Sequence, residues 1–132
     1  MSSYYNSADL AKFSEIGEGA PELWEKFMSY YSAVFQEGAL SARDKAIIAL
    51  AVAHALQCPY CIDAYTREAL EKGSSDEQMT EAVHVAAAIR GGAVLVHGVQ
   101  MKNIANKLGF RRLEISVIEC RNKNSTGAAQ RQ

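Results

Sequence analysis

The run AIIALAVAHALQC, from Ala46 to Cys58, constrains this chain more than any other stretch. Read as a helix carrying Ile47, Leu50, Ala51 and His54, it is apolar on nearly every face, so it has to be covered on all sides, by a core or by an interface. It is too short to cross a bilayer, which takes roughly 20 residues. It stops at Pro59, which cannot continue a helix but suits the first turn of a new one. A buried helix that meets a second at a proline corner is therefore the frame.

The rest of the 132 residues fits helices around it. Ser41 stands where an N-cap is needed, with Asp44 at the capping-box position. Upstream, a short helix is expected over Ala8 to Ile16, ended by the glycines of GEGAP. A second is expected from Pro21 to about Gln36, with Leu23, Trp24, Phe27, Tyr31 and Phe35 near helical spacing. The fourth, PYCIDAYTREALEKG, ends at Gly73, a suitable C′ glycine. SSDEQ opens a fifth through about Arg90, RGG is expected to bend the chain, and a sixth runs from Ala93 to about Leu108. The expectation is an all-α bundle of about six helices over residues 1–110. A polar tail over 111–132 is expected to be partly mobile, with weak strand alternation in LEISVIEC.

Composition narrows the function classes. A hydrophobic fraction of 48% and a net charge of −1 belong to an ordinary soluble protein, with no basic field for nucleic acid. The N-terminal residues lack the basic and apolar regions of a secretory signal, so the expected setting is cytoplasmic, without membrane contact. Helices three and five are alanine-rich and poor in charge, more apolar surface than so short a chain can cover, which points to a homo-oligomer.

In a reducing compartment, the close pair Cys58 and Cys61 is a metal clip or a redox pair rather than a structural staple. A cysteine at a helix start faces unpaired N–H groups and the positive end of the helix dipole, which stabilise a thiolate. A second cysteine one turn on can close a disulfide. Such a pair can attack a peroxide or disulfide with one sulfur and resolve the product with the other. Zinc normally takes four ligands, and no second pair exists. His54, His84 and His97 lie on separate expected helices, where core or interface roles suffice, so neither metal nor cofactor is expected. Cys120 falls in the tail as a thiol without a dedicated role.

The stretch from LSARDKAIIALAVAHALQCPYCIDAY to EAVHVAAA, within Leu40 to Met101, resembles the carboxymuconolactone decarboxylase and alkylhydroperoxidase D superfamily. That resemblance implies an alkylhydroperoxidase D-like helical fold assembled into trimers or hexamers. Its peroxidase members reduce hydroperoxides through a Cys-x-x-Cys pair. GEGAPELWEKF and HVAAAIRGGAVLVHGVQ further resemble an arsenosugar-biosynthesis-associated, peroxidase-like subgroup. The peroxidase motif is Glu, eleven residues, Cys-x-x-Cys, three residues, His. Its cysteines fall on Cys58 and Cys61, but its Glu falls on Ala46 and its His on Tyr65. Those two side chains form the relay that deprotonates the attacking cysteine, and neither alanine nor a phenol of pKa about 10 is a base at neutral pH.

His54 is a candidate substitute: two turns beyond Ala46, about 80° around the axis, and four residues before Cys58. It can equally be a histidine bonded to a backbone carbonyl. Asp63, near a helix N-terminus, is favoured there without any catalytic role, and Tyr60 and Tyr65 suit packing. Helix-end physics makes Cys58 the low-pKa thiolate, whereas the resemblance makes Cys61 the attacking sulfur. The expected catalytic set is Cys58, Cys61 and His54, acting on a hydroperoxide or disulfide and reset by an external dithiol. The alternatives are a thiol trap for trivalent arsenic, or decarboxylase-like acid–base chemistry, which has no use for two thiols.

Overall fold

The computed structural model describes residues 4–109. Among them all regular structure is helical: a 3₁₀-helix, Ser7–Gly17, then α1 (Pro21–Phe35), α2 (Ala42–Leu56), α3 (Pro59–Glu71) and α4 (Asp76–Lys107). The chain divides into two compact units, Met1–Val94 and Leu95–Gln132. The expected strand-like tail and Cys120 lie outside the described residues.

Local chemistry accounts for each boundary. Asn6 caps the 3₁₀-helix, its side chain accepting from Ala8 N at 3.1 Å. At its end Gly17 is buried under Trp24, where a Cβ would fall 2.6 Å from the indole. Pro21 opens α1, and Phe27, Tyr31 and Phe35, four residues apart, form an aromatic ladder with centroids 5.7 and 5.1 Å apart. The α1 carboxyl end is capped by Lys45, whose ammonium donates to Val34 O at 2.7 Å and to Gln36 O.

Ser41 caps α2 as expected, accepting Asp44 N–H at 3.0 Å. That helix ends in a Schellman motif: Cys58 N–H reaches Ala53 O and Gln57 N–H reaches His54 O, each at 3.1 Å, with Gln57 left-handed at φ 56°. The same motif ends α3, with Gly73 in the left-handed position at φ 82°. Ser75 and Gln78 then form a capping box at the start of α4 (Gln78 N to Ser75 Oγ 3.2 Å, Ser75 N to Gln78 Oε1 3.0 Å).

Two expectations are corrected. The RGG segment does not bend the chain; α4 runs unbroken through Gly91 and Gly92, so the fifth and sixth helices are one and the described residues hold five helical segments, not six. A helix-interior glycine costs only about 1 kcal/mol against alanine, and no proline is there to break the hydrogen-bond ladder. The first segment, expected as a short helix, is a 3₁₀-helix. By length and composition alone α4 is long and apolar enough to cross a membrane, with mean hydropathy 1.5 over its most apolar window. Arg90 stands mid-helix, where a bilayer centre penalises a guanidinium by about 3 kcal/mol, and it instead donates to Ala55 O at the end of α2.

The main packing in the first unit is α2 against α3, and their core joins Ala46, Leu50, Ala69 and Met79, with Tyr65 packed against the cluster. Ala46, where the superfamily relay has its Glu, is fully buried in that core. Ala46→Glu should therefore destabilise the fold by about 3 kcal/mol or more, a buried carboxylate having no partner there. Denaturant unfolding checks this, and unchanged stability would mean the site is wetter than the packing indicates.

Candidate active site

The αL turn at Gln57 reverses the chain so that α3 packs back on α2, and Cys58 is left as the N-cap of α3 with Pro59 in the first turn. An N-cap side chain normally offers oxygen to the free N–H groups. Here it is sulfur: Cys58 Sγ accepts Cys61 N–H at 3.3 Å. The two Sγ atoms are 2.7 Å apart in hydrogen-bond contact, both cysteines are free thiols, and both are half-buried.

This geometry separates the two thiols electrostatically. The hydrogen bond from Cys61, assisted by backbone N–H groups, pulls the Cys58 pKa below its ordinary value against the cost of burial. Burial, the hydrogen bond it gives to Cys58 and the charge there push Cys61 up to about 11. The first proton lost therefore leaves charge on Cys58, with the remaining proton on Cys61 between the sulfurs.

Beside the pair, α1, α2 and α3 form an open groove of about 430 Å³. Its walls are apolar, with Val34, Phe35, Ile48, Val52 and Leu56 among them, and Cys61 lines it together with Tyr31 and Tyr65. The hydroxyls of Tyr31 and Tyr65 are hydrogen-bonded to each other, and Phe35 stacks on Tyr65 with centroids 5.2 Å apart. Burial, then the charge of Cys61 and of Glu68, hold Tyr31 above the ordinary phenol range. On the outer face of α3, Tyr5 donates to Asp63 at 2.8 Å and packs edge-on against Tyr60, while Arg67 pairs with Asp63 at 2.7 Å. Asp63 is held below its usual range, first by Arg67 and then by Tyr5; these contacts fasten the N-terminal segment to the helix that carries the thiols.

The structure brings Cys58 and Cys61 together as the spacing predicts. The Nδ1 of His54 lies 2.8 Å from Leu50 O, a bond to a backbone carbonyl, and α2 ends before the chain reaches Cys58, so four residues of separation do not here mean one helical turn. His84 is exposed on α4, and among the described residues no group of three or more His, Cys, Asp or Glu side chains is placed to hold a metal ion. Sequence reasoning does not place Tyr31 beside the cysteines, and it favours packing over catalysis for Tyr65, which does pack against the core cluster while also lining the groove. Its position one turn after Cys61 was the available signal.

The model of the carboxymuconolactone decarboxylase family matches residues 21–101. This chain belongs to that family. Over 87 residues it is 39% identical to a protein of Paracoccus denitrificans described as uncharacterized protein 4 in the cox locus, covering 66% of this chain and 78% of the relative. A protein of Cupriavidus necator is 30% identical over 81 residues, 61% of this chain and 72% of the relative. Among solved structures, one from Methanobacterium thermoautotrophicum superposes with a TM-score of 0.61 at 36% identity, covering 64% of this chain and 94% of the other. An apo carboxymuconolactone decarboxylase family protein from Legionella pneumophila superposes with a TM-score of 0.57 at 29% identity, covering 67% and 80%.

The family match makes the departures at Ala46 and Tyr65 a local matter. A small residue at 46 and a large one at 65 meet in one packed cluster, so the two changes are complementary in volume. Alkylation with iodoacetamide across a pH series, mapped by peptide mass, should label Cys58 at pH values below the ordinary thiol range. Cys61 should be labelled more slowly than Cys58 in the first alkylation event across the series, because burial and the hydrogen bond to Cys58 hold its proton on. Equal labelling of both sulfurs at every pH would contradict the assigned ionisation.

Proposed function

We propose that this protein is a dithiol oxidoreductase that reduces an apolar hydroperoxide or disulfide and is reset by an external dithiol. The observation that carries this reading is the sulfur pair itself, 2.7 Å apart at the N-terminus of α3, with one sulfur opening onto an apolar groove. A disulfide S–S bond is about 2.05 Å long, so closure needs little movement of either helix turn. Decarboxylase-like chemistry would need a free titratable base in the groove, and its walls offer one thiol, two phenols and the Lys45 ammonium, which is already bonded to Val34 O and Gln36 O.

A substrate in the groove meets Cys61. Passing the bridging proton to Cys58 makes Cys61 the thiolate, so Cys58 takes the part of the missing relay base. Cys61 attacks the terminal oxygen of ROOH; the S–O bond forms, the O–O bond breaks and RO⁻ departs with the electron pair. Cys58 then attacks the Cys61 sulfenic acid, its proton leaves with the hydroxyl as water, and the disulfide closes. An external dithiol returns both electrons by exchange.

Reduced protein treated with a slight excess of cumene hydroperoxide should lose two hydrogens and yield a peptide joining Cys58 and Cys61. Cys58→Ser should stop at a trappable sulfenic acid on Cys61, and Cys61→Ser should not consume peroxide. His54→Ala should slow the reaction far less than the roughly hundredfold that loss of a general base costs, because in this scheme Cys58 and not His54 takes the Cys61 proton; a hundredfold loss would return the base role to the free Nε2 of His54, whose Nδ1 bonds Leu50 O. Thiols that remain reduced would sink this reading, and tight arsenite binding by the same protein would replace it with a thiol trap, the arsenic role that the subgroup resemblance implies.

We propose also that the chain is a homo-oligomer, a trimer or hexamer. Val85, Ile89 and Val94 on α4 are each at least 61% exposed in the single chain, a face that water does not favour. Light scattering should give a mass three or six times that of the chain; a monomer at micromolar concentration would refute it.

A further inference from the structure

Resting on that thiol oxidoreductase reading, we propose that the hydrogen-bonded hydroxyls of Tyr31 and Tyr65 are the proton donor to the oxygen that leaves when a hydroperoxide is cleaved at Cys61. Three observations converge on this pair. Cys61 and Tyr65 stand four residues apart on α3, so they share one face of the helix. Tyr31 reaches the same point from α1, and its hydroxyl is bonded to that of Tyr65. Both tyrosines and Cys61 line the one groove.

The chemistry needs such a donor. Attack on ROOH releases an alkoxide, a far stronger base than water can leave unprotonated in an apolar groove, so proton delivery limits O–O cleavage. The other proton-bearing group among the lining residues is Lys45, and its ammonium is already committed to Val34 O and Gln36 O at the end of α1. The remaining walls have no acidic hydrogen to give. Burial beside Cys61 keeps Tyr31 a phenol rather than a phenolate, so the hydroxyl bonded to Tyr65 carries its proton. Phe35, stacked on Tyr65, holds that ring in place.

The balance is complete. RO⁻ takes the hydroxyl proton of Tyr65 and leaves as ROH; Tyr65 recovers a proton through Tyr31 from solvent. Summed over both half-steps, one thiolate, one thiol, ROOH and one proton give the disulfide, ROH and water. No other reactant enters.

The role predicts a dependence on the leaving group that packing alone would not produce. Single-turnover oxidation of Cys61 would be followed in wild type, Tyr65→Phe and Tyr31→Phe with two oxidants. Cumene hydroperoxide expels an alkoxide; a peroxycarboxylic acid expels a carboxylate, which needs no proton because its pKa is about 4. Tyr65→Phe should lower the cumene hydroperoxide rate about a hundredfold and leave the peracid rate within about twofold. Tyr31→Phe, which keeps the donor but removes the hydrogen bond that supports the Tyr65 oxygen as its proton leaves, should show a smaller loss with the same selectivity. Equal loss with both oxidants, or no loss with cumene hydroperoxide, would overturn the proposal. A wild-type protein inert to both would instead sink the oxidoreductase reading beneath it. Should Tyr65→Phe fail to fold, judged by its thermal transition, Tyr31→Phe on the other helix decides the matter by the same ratio.

Discussion

The sulfur of Cys58 in the N-cap position of α3 is the contact on which the site depends. A helix start leaves backbone N–H groups without partners, and the side chain that accepts one of them fixes where the helix begins. Oxygen does this in most helices. Here the acceptor is Cys58 Sγ, so the bond to Cys61 N–H that starts α3 also stabilises charge on a nucleophile. The αL turn at Gln57 and the ring of Pro59 leave the chain little choice of entry angle, which keeps the two sulfurs in contact. The thiol hydrogen bond from Cys61 does most to lower the Cys58 pKa, and the backbone N–H groups of the helix start add to it, so a change that weakens the helix start weakens the thiolate in part.

Much of this corner was legible in the sequence because its determinants are local. Ser41 as a cap, Pro59 as a restart, Cys58 at the N-cap and Gly73 at the end of α3 each follow from the preferences of one residue for one position. The glycines of RGG were misread for a related reason. A glycine weakens a helix and a proline breaks it, and sequence punctuation does not separate the two when alanine, isoleucine and valine flank the site; the flanks carried α4 through. The tyrosine pair could not be read at all, since Tyr31 and Tyr65 are 34 residues apart and meet only once α1 and α3 are packed. For His54, counting residues assumes a helix that ends at Gln57, so its spacing from Cys58 does not by itself place the ring beside the thiols.

Losing the relay residues of the peroxidase motif looks, from sequence, like a loss of function. The packing gives it another meaning. Ala46 sits in a dry cluster with Leu50, Ala69 and Met79, and Tyr65 packs on that cluster from the groove side. A carboxylate at 46 and an imidazole at 65 would leave a charge and a polar ring in the same space, where burial without partners is costly. The apolar core and the aromatic groove are thus parts of one arrangement. What the site lacks in basic groups it has in an apolar groove, the setting in which the proposed chemistry relies on a proton donor rather than a base.

The division between the two sulfurs follows from the same asymmetry. Charge rests on Cys58, which caps the helix, while access from the groove is through Cys61, whose proton is held until about pH 11. On the proposed reading, small reagents in solvent and apolar substrates in the groove therefore meet different sulfurs. The resting thiolate need not be the attacking one: a proton displaced across a 2.7 Å contact exchanges their roles, and the thiolate so produced is the more basic, hence the more nucleophilic per molecule, though the rarer. A substrate bound in the groove compensates for that rarity by proximity alone. An agent without affinity for the apolar walls has no such compensation, so the proposed oxidoreductase reading entails a preference for apolar oxidants that follows from where the proton sits.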